Sequence, residues 1–531
     1  VVSGISEKPV YLRIEDGEVS LEDASEIWGK GTFAANKWMM EQNGREFETA
    51  SIGPAGEKKV LLAAIMNDKD RAAGRSGVGA VMGSKKLKAI VVKATRKKLD
   101  NIADLDALKV AAKNAMNVLK ANPVTGSGLR QLGTAVLVNI VNNIGAFPTK
   151  NWQESYYDKA DDISGETLAE KYLVKPGACH LCPIACGRVV NVNGKVVGGP
   201  EYEPLWAYGG NCGNNDLNVI DECNMLCNEY GLDAISVPCT IAAAMELYQR
   251  GYIKEEECAG VPLEWGSTRA LVEWTKRMGN PETELDWLMS SGSARLCEHY
   301  GHPEYSMSVK KQEMPAYDAR AIQGIGITYA TSNRGGCHVR GYMISPEVLG
   351  LPQQLDRTVT NEKAAWAKTF QDLTAVIDSM GHCLFTSFAM GAKEYTDLLN
   401  AANGYGKYKI NVKLNEELSS SKIDAACKAM EEAVAGVADC TATVQQYGMT
   451  DDLTSQLSTG LTIKIYGTDA ETLTALSEKV VDIVNNTEGF QNATNGLGAG
   501  DSTIILQVDR DKVRANGLTV AQVYQQIAAK L

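Results

Sequence analysis

Arg71-Ala-Ala-Gly-Arg-Ser-Gly-Val-Gly-Ala-Val-Met-Gly-Ser-Lys-Lys-Leu-Lys-Ala-Ile-Val-Val-Lys93 carries four glycines and two arginines into an apolar run. Glycine lets backbone N–H groups approach an anion and arginine grips phosphate through paired hydrogen bonds, so the loop suits a phosphate-bearing cofactor. A plain turn uses glycine for positive φ equally often. Leu87 to Lys93 reads as a buried strand, and Val10-Tyr-Leu-Arg-Ile14 and Val60 to Met66 read as further strands. Residues 1–98 are therefore expected to form a β-rich layer.

Apolar spacing then changes to i, i+3 and i+4, which predicts helices over Leu105 to Ala121, Glu166 to Leu173 and Leu217 to Tyr230. Helices are expected to dominate as far as residue 402, where composition breaks. All 8 Trp, 15 Pro and 5 His stand before residue 383, and the later residues keep only Cys427 and Cys440 of the 13 cysteines. The tail alternates strand Tyr408 to Leu414, helix Ser420 to Val434, strands Cys440 to Tyr447 and Leu461 to Tyr466, helix Ala470 to Asn485, strand Thr503 to Val508 and helix Val520 to Leu531. That is a double β-α-β of the ferredoxin-like kind. The fold class expected is α+β and multidomain: 1–98 β-rich, 99–307 mainly helical, 308–402 a further helical part, and 403–531 ferredoxin-like.

With net charge −12 and no basic block longer than Arg96-Lys-Lys98, the chain is not expected to bind nucleic acid or an anionic membrane. Ala234 to Leu247, its best apolar run, is broken by Ser236, Pro238 and Thr240 and falls short of the roughly 18 residues of a membrane span. Val1 to Arg13 resembles neither a signal nor a transit peptide, and the absence of an initial Met reads as truncation. Thirteen cysteines in 531 residues are no disulfide framework, which points to a reducing, anaerobic cytoplasm.

Cys179, Cys182 and Cys186 form a C-x2-C-x3-C knot in Gly177-Ala-Cys-His-Leu-Cys-Pro-Ile-Ala-Cys186. Three soft thiolates so close together suit an iron–sulfur cluster that takes a remote fourth ligand; a structural zinc site that recruits His180, or plain buried thiols, are the alternatives. In Gly199-Pro-Glu-Tyr-Glu203, ahead of Trp206, an apolar and aromatic setting would raise the pKa of Glu203 and suit it to proton transfer. Asn228-Glu-Tyr-Gly-Leu-Asp233 and Asp378-Ser-Met-Gly-His-Cys383 are parallel phrases across a turning glycine. A carboxylate there can accept hydrogen bonds from an aminopyrimidinone ring, the recognition edge of a pterin, or can simply cap a helix.

Taken in order, Gly-Arg-x-Gly-x-Gly-Ala-Val-Met-Gly-Ser-Lys, the cysteine knot, Gly-Pro-Glu-Tyr-Glu, Gly-Leu-Asp, Tyr329-Ala-Thr-Ser332 and D-x-x-G-x-C make residues 1 to about 402 resemble the aldehyde ferredoxin oxidoreductase family of tungsten enzymes. The resemblance implies a tungsten or molybdenum bis-pterin, a [4Fe-4S] cluster on Cys179, Cys182, Cys186 and Cys383, and magnesium bridging the pterin phosphates. It places Asn228, Gly231, Leu232 and Asp233 at one pterin, Asp378 and His382 at the other, Arg340 facing a pterin, and Arg75, Gly77 and Gly79 at the phosphate end. Glu203 and His338 would stand beside the metal as catalytic groups. Asn228 replaces the usual Asp and His382 the usual Leu; an Asn accepts only one of the two hydrogen bonds an Asp offers. Ferredoxin and a small aldehyde are the implied partners and a homodimer the implied assembly. Family members also begin before Val1, with β structure that helps to cradle the pterins.

Ile463-Lys-Ile-Tyr-Gly467, Val508-Asp-Arg-Asp-Lys512 and Ala515-Asn-Gly-Leu-Thr-Val520 make the tail resemble the porter domain of resistance-nodulation-division efflux pumps. Porter domains lie outside the cytoplasmic membrane, so this resemblance implies a joined, chimeric chain. The alternative function it implies is a substrate-binding transporter segment with an inactive N-terminal part.

Overall fold

The strand that follows the glycine-rich loop lies in the interior of a six-stranded sheet in the computed structural model, which describes residues 2–68, 70–95, 102–403, 406–414, 428, 441–446, 460–467, 470–486 and 490–494. Strands β1 (Val10–Glu15), β2 (Glu18–Asp23), β3 (Glu48–Ser51), β4 (Ile65–Asn67), β5 (Arg71–Ala73) and β6 (Leu87–Lys93) run in the order β2-β1-β6-β3-β4-β5. The β1/β6 pair is parallel and its neighbours are antiparallel. Strand β6 is apolar on both sides because both are covered. Ala89 and Val91 pack with Tyr11, Ile27, Phe47 and the helix residues Ala35 and Met39, while Leu87 packs with Val10, Ile52 and Met82.

Of the strand expected over Val60 to Met66, only Ile65–Asn67 joins the ladder. Val60, Leu62, Ala63 and Ala64 are buried, which accounts for the apolar run. Their backbone, however, bonds elsewhere: Gly79 N–H donates to Ala63 O (3.0 Å), Ala64 N–H to Gly231 O (2.8 Å) and Asp233 N–H to Leu62 O (2.9 Å). A short apolar run does not distinguish a ladder strand from a buried loop. This loop is what fixes Gly231-Leu-Asp233 to the N-terminal sheet.

Helix Val78–Ser84 lies against the same region at very close range. A Cβ on Gly79 would stand 2.4 Å from Ala64 O, one on Gly83 1.8 Å from Gly56 O, and Gly77, at φ +69°, would bring one 2.5 Å from Leu61 O. Backbone packing alone requires glycine at these positions, and the amide of Gly79 is bonded to Ala63 O. Gly83→Ala is expected to destabilise the full chain by about 1–3 kcal/mol, read as a lowered thermal midpoint.

Helices Leu105–Ala121 and Leu217–Tyr230 span the expected residues, capped by the side chains of Asp104 and Asp216. The helix expected over Glu166 to Leu173 is Gly165–Lys171, and Leu173 opens a small antiparallel sheet of β7 (Leu173–Gly177), β8 (Gly187–Val192) and β9 (Lys195–Gly198). Residues 99–307 are mainly helical as expected, with this small sheet at their chemically important point. The cysteine knot is the loop of the β7-β8 hairpin, which the Gly177/Gly187 pair closes. Farther on, β10 (Ser308–Val309) and β11 (Gln312–Glu313) form a two-residue ladder.

The chain divides into two units, Val1–Gly404 and Tyr405–Leu531. In the second, β12 (Gly406–Leu414), β13 (Thr441–Gln446), β14 (Gly460–Gly467) and β15 (Phe490–Thr494) are antiparallel in the order β13-β14-β12-β15, as in a split β-α-β sheet. Helix Ala470–Asn485 buries Leu476, Val480 and Val484 along one stripe. The fourth described strand is Phe490–Thr494. The strand expected at Thr503 to Val508, the last helix and, apart from Lys428, the helix at Ser420 to Val434 lie outside the described residues.

Candidate active site and cysteine knot

Helix Tyr202–Tyr208 is buried along its whole length, so Glu203 points into protein rather than water. Its Oε2 accepts a hydrogen bond from Ala316 N–H (2.9 Å). Its Oε1 lies 3.7 Å from His338 Nε2, too far for a hydrogen bond, and has no hydrogen-bond partner among the described residues. Burial pushes Glu203 up to about 8, against the opposing pull of Ala316 N–H and Arg75. Burial, with the charges of Arg75 and Arg334, holds His338 down to about 3. Near neutral pH the two are a protonated carboxyl and an uncharged imidazole, each with open hydrogen-bonding capacity.

Tyrosine rings enclose this pair. Tyr317 and Tyr342 lie 6.0 and 6.4 Å from the His338 ring, and Tyr202 lies 5.4 Å from Tyr317. The aromatic setting expected for Glu203 is present, although Tyr317 and Tyr342 come from far along the chain. Tyr202 donates its hydroxyl hydrogen to Ala316 O (2.9 Å), so the backbone of one residue, Ala316, ties both Tyr202 and Glu203.

The parallel phrases at Asn228 and Asp378 fold alike. Gly231 and Gly381 both take φ +70°. Gly231 N–H donates to Asn228 O (3.3 Å) and Leu232 N–H to Cys227 O (2.8 Å), while Gly381 N–H donates to Asp378 O (3.0 Å) and His382 N–H to Ile377 O (3.0 Å). Both are Schellman ends, so the shared spacing records two equivalent helix termini. Asp378 is paired with Arg340 at 2.5 Å and its side chain stays 42% exposed, while Arg340 Nε has no hydrogen-bond partner among the described residues.

Arg75 and Asp233, expected at the phosphate end and at a pterin, are paired with each other. Arg75 Nε donates to Asp233 Oδ2 (3.2 Å), Nη1 to Gly336 O (2.7 Å), and Nη2 to Glu313 O (2.6 Å) and Ser236 Oγ (3.1 Å). The other carboxylate oxygen of Asp233 accepts from the N–H groups of Ile235 and Ser236. The guanidinium is a buried knot between three distant segments, with four of its five N–H groups bonded within the protein. Arg75→Ala is expected to cost about 3–5 kcal/mol of stability, measured by denaturant unfolding, because it strands a buried carboxylate.

At the hairpin loop, Cys179 is exposed while Cys182 and Cys186 are half-buried. Cys182 N–H donates to Cys179 O (3.0 Å), with Leu181 and Ala185 in the left-handed region. Desolvation raises the Cys186 thiol to about 12; Glu201, Cys383 and Cys179 add to the rise and Arg71 opposes it. Desolvation likewise raises Cys383, with Cys182 and Cys179 adding and Arg71 opposing. Cys383, remote in sequence, is therefore electrostatically coupled to the knot. No three His, Cys, Asp or Glu groups among the described residues are close enough to hold a single metal ion. Arg71 supplies the local positive charge, fixed by Glu201 Oε1 (2.8 Å), whose other oxygen accepts from Thr134 Oγ1 (2.6 Å).

Two family models match this chain: the aldehyde ferredoxin oxidoreductase N-terminal domain over residues 1–94, and domains 2 and 3 of the same enzyme over residues 110–412. The chain belongs to the aldehyde ferredoxin oxidoreductase family. It is 51% identical over 411 residues to a tungsten-containing aldehyde ferredoxin oxidoreductase of Pyrococcus furiosus, and 50% identical over 411 residues to one of Thermococcus kodakarensis, covering 76% of this chain and 67% of each relative. Among solved structures it resembles the active-site complex BamBC of benzoyl coenzyme A reductase with 1,5-dienoyl-CoA, with a TM-score of 0.61 at 21% identity, covering 76% of this chain and 68% of that one. This last likeness concerns fold alone.

Membership in the aldehyde ferredoxin oxidoreductase family makes the chain an oxidoreductase of that type. The matched stretch 110–412 holds the knot, Glu203, His338 and Cys383 together. The tail's resemblance to efflux porters finds no support in these matches, nor does the chimeric, transporter-like reading built on it. Among the described residues no helix is long and apolar enough to cross a membrane. Family motifs pointed to Glu203 and His338 but passed over Tyr317, Tyr342 and the Arg71–Glu201 pair. Glu201 stands two residues from Glu203 in Gly-Pro-Glu-Tyr-Glu, so a second carboxylate in an apolar motif was the one signal available.

Proposed function

We propose that this member of the family oxidises an aldehyde to a carboxylic acid, RCHO + H2O → RCOOH + 2 H+ + 2 e−, beside Glu203 and His338. Cys179, Cys182, Cys186 and Cys383 would hold a [4Fe-4S] cluster, and ferredoxin would be the electron partner. Support comes from relatives named as tungsten-containing aldehyde ferredoxin oxidoreductases and, in this chain, from an uncharged acid and imidazole whose Oε1 and Nδ1 have no hydrogen-bond partner among the described residues. The buried, unpartnered Arg340 Nε and the part-exposed Asp378 carboxylate suit the polar edge of a pterin, with Asn228 and His382 at the two equivalent helix ends. A tungsten bis-pterin held there, with magnesium at its phosphates, would supply the two-electron oxidation.

Glu203 holds a proton on Oε1 and offers it to the carbonyl oxygen of the aldehyde, which draws electrons from the carbon under attack. His338 stays uncharged, so it forms no ion pair that would strip that proton. The tyrosines exclude water and keep the local dielectric low, which strengthens the hydrogen bond to the carbonyl. Metal analysis and visible spectroscopy of the full chain test the reading. About four iron atoms per chain with tungsten or molybdenum and a brown colour are expected, whereas a colourless protein holding only zinc would refute it.

A further inference from the structure

Among the described residues no hydrogen bond fixes the His338 ring. Its Nδ1 has no hydrogen-bond partner among the described residues, and its Nε2 approaches Glu203 Oε1 only to 3.7 Å. An imidazole without a firm hydrogen bond at either nitrogen can turn over about its Cβ–Cγ bond, which changes the atom that faces Glu203 and lets its tautomers exchange.

Two rings oppose that turn. Tyr317 lies against His338 at 6.0 Å with a tilt of 44°, and Tyr342 at 6.4 Å with 61°. They are nearly perpendicular to each other, 85° at 6.2 Å, and their hydroxyl oxygens are 3.3 Å apart. Each is backed by a further ring: Tyr202 behind Tyr317 at 5.4 Å and Phe388 behind Tyr342 at 6.0 Å. Both phenols are buried, and burial pushes both well above their ordinary value, so the contact stays a neutral O–H···O bond.

We propose that Tyr342 is a positioning residue for His338. Its hydroxyl, bonded to that of Tyr317, closes an aromatic bracket that holds the imidazole in one orientation with Nε2 toward Glu203. Tyr342 touches no reacting atom and acts through Tyr317 and His338. The proposal rests on Glu203 and His338 being the reacting pair.

The test uses the full chain carrying 15N-labelled histidine; with 5 histidines, the signal missing from His338→Gln assigns the ring. In the native protein one protonated and one unprotonated ring nitrogen are expected as separate resonances, unmoved as pH falls from about 7 to about 5, below the titration of Glu203, because the ring stays neutral. Tyr342→Phe keeps the ring and removes the hydroxyl. It is expected to bring the two resonances toward a common average and to lower kcat by about 10- to 100-fold with KM little changed. Phe388→Leu, which loosens packing behind Tyr342 but leaves both hydroxyls, is expected to keep the resonances separate. Separate resonances and native kcat in Tyr342→Phe, or equal averaging in Phe388→Leu, would overturn the proposal. Failure of the functional reading shows differently: Glu203→Gln would then turn over aldehyde normally while the His338 resonances still responded to Tyr342→Phe.

Discussion

Glu203→Gln is expected to lower kcat/KM for aldehyde oxidation by about 10²–10⁴-fold while iron and tungsten contents stay at native levels. The amide matches the carboxyl in shape and keeps an acceptor for Ala316 N–H, so the pocket survives. What it loses is a transferable proton at the atom facing His338. Native turnover by the variant would remove Glu203 from the chemistry. The native pH profile follows from the same group. Glu203 is protonated below its pKa of about 8, so kcat/KM is expected to be level up to about one pH unit below that value and to fall as pH rises through 8. His338, held down to about 3, contributes no acid limb in that window.

Stability carries an independent signature. In the folded state Glu203 titrates near 8, and in the unfolded chain a glutamate titrates at about 4.3. Between those values the folded state keeps a proton that the unfolded state has released. The contribution of Glu203 is therefore fully present below about 4.3 and is lost as pH rises to 8, at up to about 1.4 kcal/mol per pH unit. Glutamine does not titrate, so Glu203→Gln should flatten that part of the stability curve and be the more stable protein above pH 8. Equal pH slopes in the two proteins would place the carboxyl in a wetter site than the structure shows.

Period and capping made much of the fold readable. Strand Leu87–Lys93 and helices Leu105–Ala121 and Leu217–Tyr230 each bury a continuous face and end at recognisable residues, Asp104, Asp216 and Gly231 among them. Val60 to Ala64 misled because burial made it apolar while its hydrogen bonds went to Gly231, Asp233 and Gly79 instead of a neighbouring strand. The protein partners of Arg75 were hidden for a related reason. A glycine-rich loop with an arginine looks the same whether the guanidinium faces a phosphate or the carbonyls of Glu313 and Gly336, and only the fold brings those carbonyls to it. The family resemblance named Glu203 and His338, which the fold brings within 3.7 Å, yet no local pattern announces Tyr317 and Tyr342, whose partnership requires residues far apart in sequence to meet in space.

Cys383→Ser is expected to leave the knot with three thiolates, to bleach most of the visible absorbance and to lower iron below the native level. Electron delivery to ferredoxin should fall by more than about 100-fold, since altering even an outer hydrogen-bond partner of a metal ligand costs about 10–100-fold. The charges of Cys182 and Cys179 add to the desolvation that raises the Cys383 thiol, which supports Cys383 as the fourth thiolate, and serine at this position offers a hard oxygen where iron favours a soft thiolate. Cys258→Ser supplies the control: that cysteine is fully buried and its thiol bonds to Lys254 O at 3.6 Å, so its loss should lower stability and leave iron unchanged. Zinc is counted in parallel. If Cys383→Ser retained native iron and colour, or if Cys258→Ser lost them equally, the fourth ligand would have to be sought elsewhere. If zinc rather than iron fell with Cys383, the hairpin loop would be a structural metal site, and Arg71, fixed by Glu201 beside it, would be balancing the charge of a zinc thiolate centre instead of a cluster.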